Sequence, residues 1–163
     1  MGMRTSSCRP RPLPVSLAVL ALLVGLGCNG PIVLIPGGEL DGEVAPVPAD
    51  WAMVGDYGTC QLETRPEDPY SVNIAYTVVD GQLYINAGDT ETRWVQNIDL
   101  DPRVRLRVDG VLYELRAERV TDPTEIAKFG KAWTDQSFFR RDPAELSPVW
   151  VYRLVERSSE GGE

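Results

Sequence analysis

The sequence predicts a mainly β fold, an antiparallel barrel with small helices at its rim. Three observations carry this. Alternating segments meet across Asp80-Gly81 and again across Asp109-Gly110, dipeptides suited to two-residue hairpin turns. Further strand-like runs flank these hairpins, around Cys60 and at 149–155. Only two short helical segments interrupt the strands, one at 90–98 and one opening at Asp122.

In chain order, residues 28–50 are rich in Gly and Pro and read as a tether, within which Pro31-Ile32-Val33-Leu34-Ile35 either adds an edge strand or lies against the domain. The folded domain is expected over 51–157, beginning near Trp51. Thr59-Cys60-Gln61-Leu62-Glu63 reads as a strand with Cys60 as a buried small side chain. In the first hairpin, Ser71–Val79 meets Gln82–Ala87, and a two-residue turn faces Tyr76 to Ile85 and Val78 to Leu83 on one apolar side. In the second, Arg103–Val108 meets Val111–Leu115, with Val104 facing Leu115, Leu106 facing Tyr113 and Arg105 facing Glu114. Arg103, Arg105 and Arg107 alternate with Val and Leu, as on any half-exposed strand, and are expected to form a solvated, salt-bridged face worth about 0.5 kcal/mol per pair. The first helix is expected over Thr90–Ile98 and must stop before Asp101-Pro102, because a residue preceding proline disfavours the helical region. Asp122-Pro123-Thr124-Glu125 supplies an N-cap acid, a proline at N1 and a glutamate at N3, and Ile126, Phe129 and Trp133 form the core-facing stripe of that helix. Residues 149–155 are the last strand, and 158–163 read as a disordered tail.

Residues 1–27 have the order of a secretory signal: Arg4, Arg9 and Arg11, an apolar stretch from about Leu13 to Leu26, then small residues. The stretch is shorter than the roughly 20 residues that span a bilayer. Leu26-Gly27-Cys28 resembles the processing site of a bacterial lipoprotein, with Gly25 where leucine is usual, and Cys28 is the expected lipidation site. Asn29 rather than Asp follows the cysteine, so the expectation is an exported chain anchored in the outer membrane and facing the periplasm. Removing 1–27 leaves 136 of 163 residues and, because that part holds three Arg and no acid, takes the formal charge from −8 to −11. Such an acidic domain lacks the clustered cations that nucleic acid demands. There is no histidine, which removes Ser/His and Cys/His nucleophile arrangements and the common zinc sites. With Cys8 in the signal and Cys28 lipidated, Cys60 stands alone and no internal disulfide forms. Glu63, Glu67 and Asp68 lack the ordered spacing of a calcium loop.

The segments Val79–Ile85, Ala87–Ile98 and Asp101–Leu106 together resemble the split β-barrel superfamily, which includes pyridoxamine 5′-phosphate oxidase-like flavoproteins and deazaflavin-dependent nitroreductases. Its members show a DG-x-LY hairpin, a polar loop, a short helix reading W-x-x-N-L, and N-P-x-V. The likeness runs from about Leu62 to Asp122. It implies a homodimer with FMN or a deazaflavin at its interface. By position, Arg65 and Asn73 fall on the strand side of that site, and Thr90, Thr92, Arg93, Trp94 and Asn97 on the loop and helix. A helix N-terminus with hydroxyls and one Arg suits a phosphate. Thr90 equally suits an N-cap, Trp94 the core, and Asn97 a loop carbonyl. The chain departs from the family where a basic, Gly-rich turn is replaced by Glu63–Tyr70, and by Asp89 and Glu91 before the helix. An acid 4 Å from a bound phosphate opposes it by about 4 kcal/mol at an effective dielectric of ~20. Two functions follow: an envelope module that holds a small ligand or a protein partner without catalysis, and a flavin- or deazaflavin-dependent oxidoreductase. Tyr57, Tyr70 and Phe139 are candidate interface aromatics.

Overall fold

A computed structural model describes Pro31, residues 35–142 and residues 150–157. The expected signal at 1–27, Cys28, the expected start of the last strand at Val149 and the expected tail at 158–163 lie outside the described residues. Six strands, β1 (Tyr57–Thr64), β2 (Tyr70–Val79), β3 (Gln82–Ala87), β4 (Arg103–Val108), β5 (Val111–Arg119) and β6 (Trp150–Glu156), close into an antiparallel barrel in the order β1-β2-β3-β6-β5-β4. Closure pairs β1 with β4 and so removes the sheet edges. Both hairpins take the expected register: Tyr76 opposes Ile85, Val78 opposes Leu83, Leu106 opposes Tyr113, and Arg105 opposes Glu114. Each turn needs positive φ at both central residues, found at Asp80 (51°) and Gly81 (76°) and at Asp109 (51°) and Gly110 (83°).

Alternate side chains of every strand fill the barrel, among them Cys60, Leu62, Leu83, Ile85, Leu106, Leu115 and Leu154. Helix α1 (Arg93–Leu100) adds Trp94, Val95 and Ile98 to that core. It starts three residues later than the sequence suggests. The Asp89 carboxylate accepts the Glu91 N–H at 2.8 Å and the Thr92 hydroxyl donates to the Asp89 carbonyl at 3.1 Å, so these residues form a turn instead of a first helical turn. Helix α2 (Pro123–Asp135) lies outside the barrel, where Phe129, with Ile126 and Trp133 beside it, covers Tyr84, Val120 and Val151. Asp122 caps it through Thr124 N–H and Glu125 N–H, as expected.

The second half of the stretch read as a tether is packed onto the barrel. Gly37 exchanges both backbone bonds with Ser71 at 2.9 Å, Leu40 is 1% exposed, and Ala45 N–H donates to the Leu112 carbonyl. The segment crosses β2, β1, β4 and β5 in turn, and outward-facing Glu63, Ser71 and Leu112 are buried as a result. Its carboxyl end ties down as Trp51, which donates to the Gly81 carbonyl and meets Tyr113 edge-on at 5.0 Å.

Candidate functional site

Where the start of β2 passes the first turn of α1, a pocket of about 250 Å³ opens. Tyr70, Val72 and Asn73 form its strand wall, and Thr92, Arg93 and Trp94 its helix wall. Ile35 and Pro36 of the N-terminal segment form the third side. Four of the seven expected site residues therefore share one cavity. Arg93 stands over the Tyr70 ring at 4.7 Å, a cation–π contact that holds an exposed guanidinium near the pocket mouth. Thr92 occupies the N-cap of α1, yet its hydroxyl makes no bond to the helix. Trp94 is buried and packs edge-on against Tyr152 at 5.9 Å, so its main contacts are those of the core.

The other three residues lie apart. Arg65, at φ 60°, sits in the β1–β2 turn and binds Asp68. Asn97 is buried and donates to the Thr64 hydroxyl at 2.9 Å, which in turn donates to the Tyr70 carbonyl, so it fastens α1 to the strands. Thr90 lies in the turn before α1 and does not line the pocket. Within the cavity, Asn73 already donates to the Pro31 carbonyl at 3.2 Å. The sequence reasoning missed Ile35, Pro36 and Val72, for which only the apolar Pro31–Ile35 run gave a signal. Of the expected interface aromatics, Tyr70 carries Arg93 at the pocket, and Tyr57 and Phe139 are exposed.

The acids that precede the pocket along the chain are mostly matched by arginines. Glu63 binds Arg105, Asp68 binds Arg65, and Glu67 lies 3.7 Å from Arg103. Among the described residues no group of three His, Cys, Asp or Glu is placed to hold a metal ion. Cys60 is enclosed, and burial pushes its thiol well above the ordinary range, so it is no nucleophile.

A larger cleft of about 620 Å³ lies between the β2–β3 hairpin, the start of α2 and β6. There Tyr84 donates to Glu125 at 2.8 Å, Arg153 bridges Glu125 and Glu118 at 3.1 and 3.0 Å, and Lys128 meets Asp80 at 2.8 Å. Burial, then the hydrogen bond to Glu125 and its charge, holds the Tyr84 proton well above the usual phenol range. Every charged group named there has an internal partner, which makes the cluster a clamp of α2 onto the barrel rather than a reactive centre.

Tested against a flavin, the pocket fits in part. One guanidinium, one hydroxyl and a helix N-terminus suit a single anionic group. The volume is below the roughly 300–1,000 Å³ of pockets that bury whole cofactors, and the chain's own Ile35 and Pro36 occupy its third side.

No family profile and no curated relative matches the chain. Solved structures do. A Listeria innocua protein provisionally named pyridoxamine 5′-phosphate oxidase superposes with a TM-score of 0.52 at 14% identity, over 66% of this chain and 90% of that one. A conserved hypothetical protein from Mycobacterium tuberculosis gives a TM-score of 0.52 at 20% identity, over 73% of this chain and 87% of that one. At such identities the likeness is one of fold, and the fold it shows is the split β-barrel of the pyridoxamine 5′-phosphate oxidase-like proteins.

Proposed function

We propose that the chain is an exported envelope lipoprotein, anchored through Cys28 and facing the periplasm, whose split-barrel domain is a non-catalytic module. It holds a small ligand with one anionic group and an apolar part. One observation carries the reading: residues at the family's cofactor positions gather around a cavity that the protein's own N-terminal segment has narrowed. Arg93 and Thr92 would take the anionic group, and Tyr70, Val72 and Trp94 the apolar part. Fold alone does not assign the function, which rests on this site.

The second reading, an FMN- or deazaflavin-dependent oxidoreductase, is favoured by the same clustering of Asn73, Thr92, Arg93 and Trp94. A homodimer partner would then supply the missing walls. The flavin would supply the electron or hydride transfer, and Arg93 and Thr92 would only hold and orient its phosphate.

The visible spectrum of the purified protein, followed by titration with FMN, FAD, haem and a deazaflavin, separates the two. No binding supports the module. Bound flavin, or micromolar affinity lost in Arg93→Ala, sinks it in favour of the redox protein.

A further inference from the structure

We propose that this domain sits directly on the bilayer with the end of α2, where it lies beside β2, turned to the membrane, and with Phe138 and Phe139 inserted among the lipids. The proposal rests on the lipid-anchor reading above and adds an orientation to it.

Phe138 and Phe139 are 98% and 91% exposed, in contact edge-on with each other at 5.9 Å. They follow α2, whose end is pinned to β2 by Gln136, which donates to the Thr77 hydroxyl at 2.8 Å. Tyr57 opposes Thr77 on β1 and is also exposed, at 54%. Pro31 is held on the same strand, its carbonyl accepting from Asn73 at 3.2 Å and from Gln61 at 3.5 Å. Asn73 and Thr77, four residues apart, present their side chains to one face of β2, about 13 Å from each other.

Cys28 precedes Pro31 by three residues, a reach of at most about 11 Å. An acyl anchor on Cys28 thus brings lipid to this side of the barrel, since residues 35–47 are engaged with the strands. The surface it meets bears three exposed aromatics, Arg140 stacked on Trp133, and exposed Arg141, in a chain whose charge after loss of 1–27 is −11. Of the acids there, Asp135 is paired with Lys131 at 2.6 Å, while Asp56 lies exposed beside Tyr57, so charge does not draw this surface to a headgroup layer. A lipid surface is therefore the occupant this patch fits, with apolar insertion as the main attraction and Arg141 at the headgroups.

The test uses the full chain, acylated in cells and reconstituted into vesicles of phosphatidylethanolamine and phosphatidylglycerol. A nitrobenzoxadiazole label goes on Phe139→Cys, or on Arg116→Cys on the outer face of β5, across the barrel from β2. The expected result is a blue-shifted, several-fold brighter emission at 139 than in detergent, with an aqueous signal at 116. Salt should change it little. A second variant, Phe138→Asp with Phe139→Asp, should raise tryptic cleavage after Arg140 and Arg141 several-fold on vesicles. An aqueous signal at 139 in protein that still floats with vesicles overturns the docking and leaves the anchor standing. A chain without acyl mass that fails to float overturns both. An apolar signal at 139 without vesicles, accompanied by a doubled mass, shows a second copy on this face and overturns the lipid assignment.

Discussion

Replacing either partner of the Glu63–Arg105 pair tests whether the N-terminal segment is part of the fold. Glu63 is 2% exposed and accepts from Arg105 at 3.1 Å and from Leu40 N–H at 2.5 Å. Arg105 also donates to the Leu40 carbonyl at 2.9 Å and approaches Glu39 at 3.4 Å, and its side chain keeps 18% exposure. Arg105→Met strands a buried carboxylate with one backbone partner, a change that costs about 3–5 kcal/mol when an ion pair is broken by removing one side. Glu63→Gln leaves Arg105 with Glu39, the Leu40 carbonyl and water, and should cost less, about 1–2 kcal/mol. Urea denaturation of the chain from residue 29 reads both, since an m-value of about 1–3 kcal/mol per molar converts the larger loss into a midpoint drop of 1 M or more. Combining Arg105→Met with Glu63→Leu should recover most of the loss. If both single variants stay within about 0.5 kcal/mol of the parent, the pair is an ordinary solvated one and the packing argument for this segment fails.

Leu40→Ala should cost about 2–3 kcal/mol and speed hydrogen exchange at Gly37 and Ala45; parent-like stability would show that the segment lies loosely on the barrel. Stability should fall as pH rises above about 9. The folded thiol of Cys60 keeps its proton beyond its ordinary value, so the unfolded state binds fewer protons there and about 1.4 kcal/mol is lost per pH unit. Tyr152, pushed up to about 12 by burial, and Tyr84, held above the usual phenol range, add further losses from about pH 10; Cys60→Ala should remove the loss between 9 and 10 and make the loss above 10 shallower. Asp122→Ala should lower the unfolding midpoint by uncapping α2, measured by thermal or urea unfolding. The Asp122 and Asp101 carboxyls sit below their usual range, Asp122 through backbone N–H bonds and Asp101 through Arg103. Their contribution is therefore present at neutral pH and is lost progressively as pH falls from about 3.9 through their lowered values.

Arg105 shows where sequence reasoning stops. Its neighbour across the hairpin, Glu114, follows from turn geometry, and the register is as expected. Its ion-pair partner is Glu63, from β1, because barrel closure sets β1 beside β4; Glu114 instead lies 3.6 Å from Arg157. The candidate site divides in the same way. Thr92, Arg93, Trp94 and Asn73 were reached through short motifs that meet in space. Arg65 and Asn97 carry the right side chains but are turned to Asp68 and Thr64.

The β class, both hairpin registers, the cap and inner stripe of α2, and the burial of Cys60 were legible in the chain alone. Each of these depends on residues near one another in the chain, through turn geometry or a side-chain period. That residues 35–47 belt the barrel, that Glu63 is buried, and that Ile35 and Pro36 narrow the pocket emerged from the three-dimensional packing. Those outcomes depend on contacts between positions roughly 25 to 70 residues apart, for which a Gly- and Pro-rich stretch without periodicity gives no local sign.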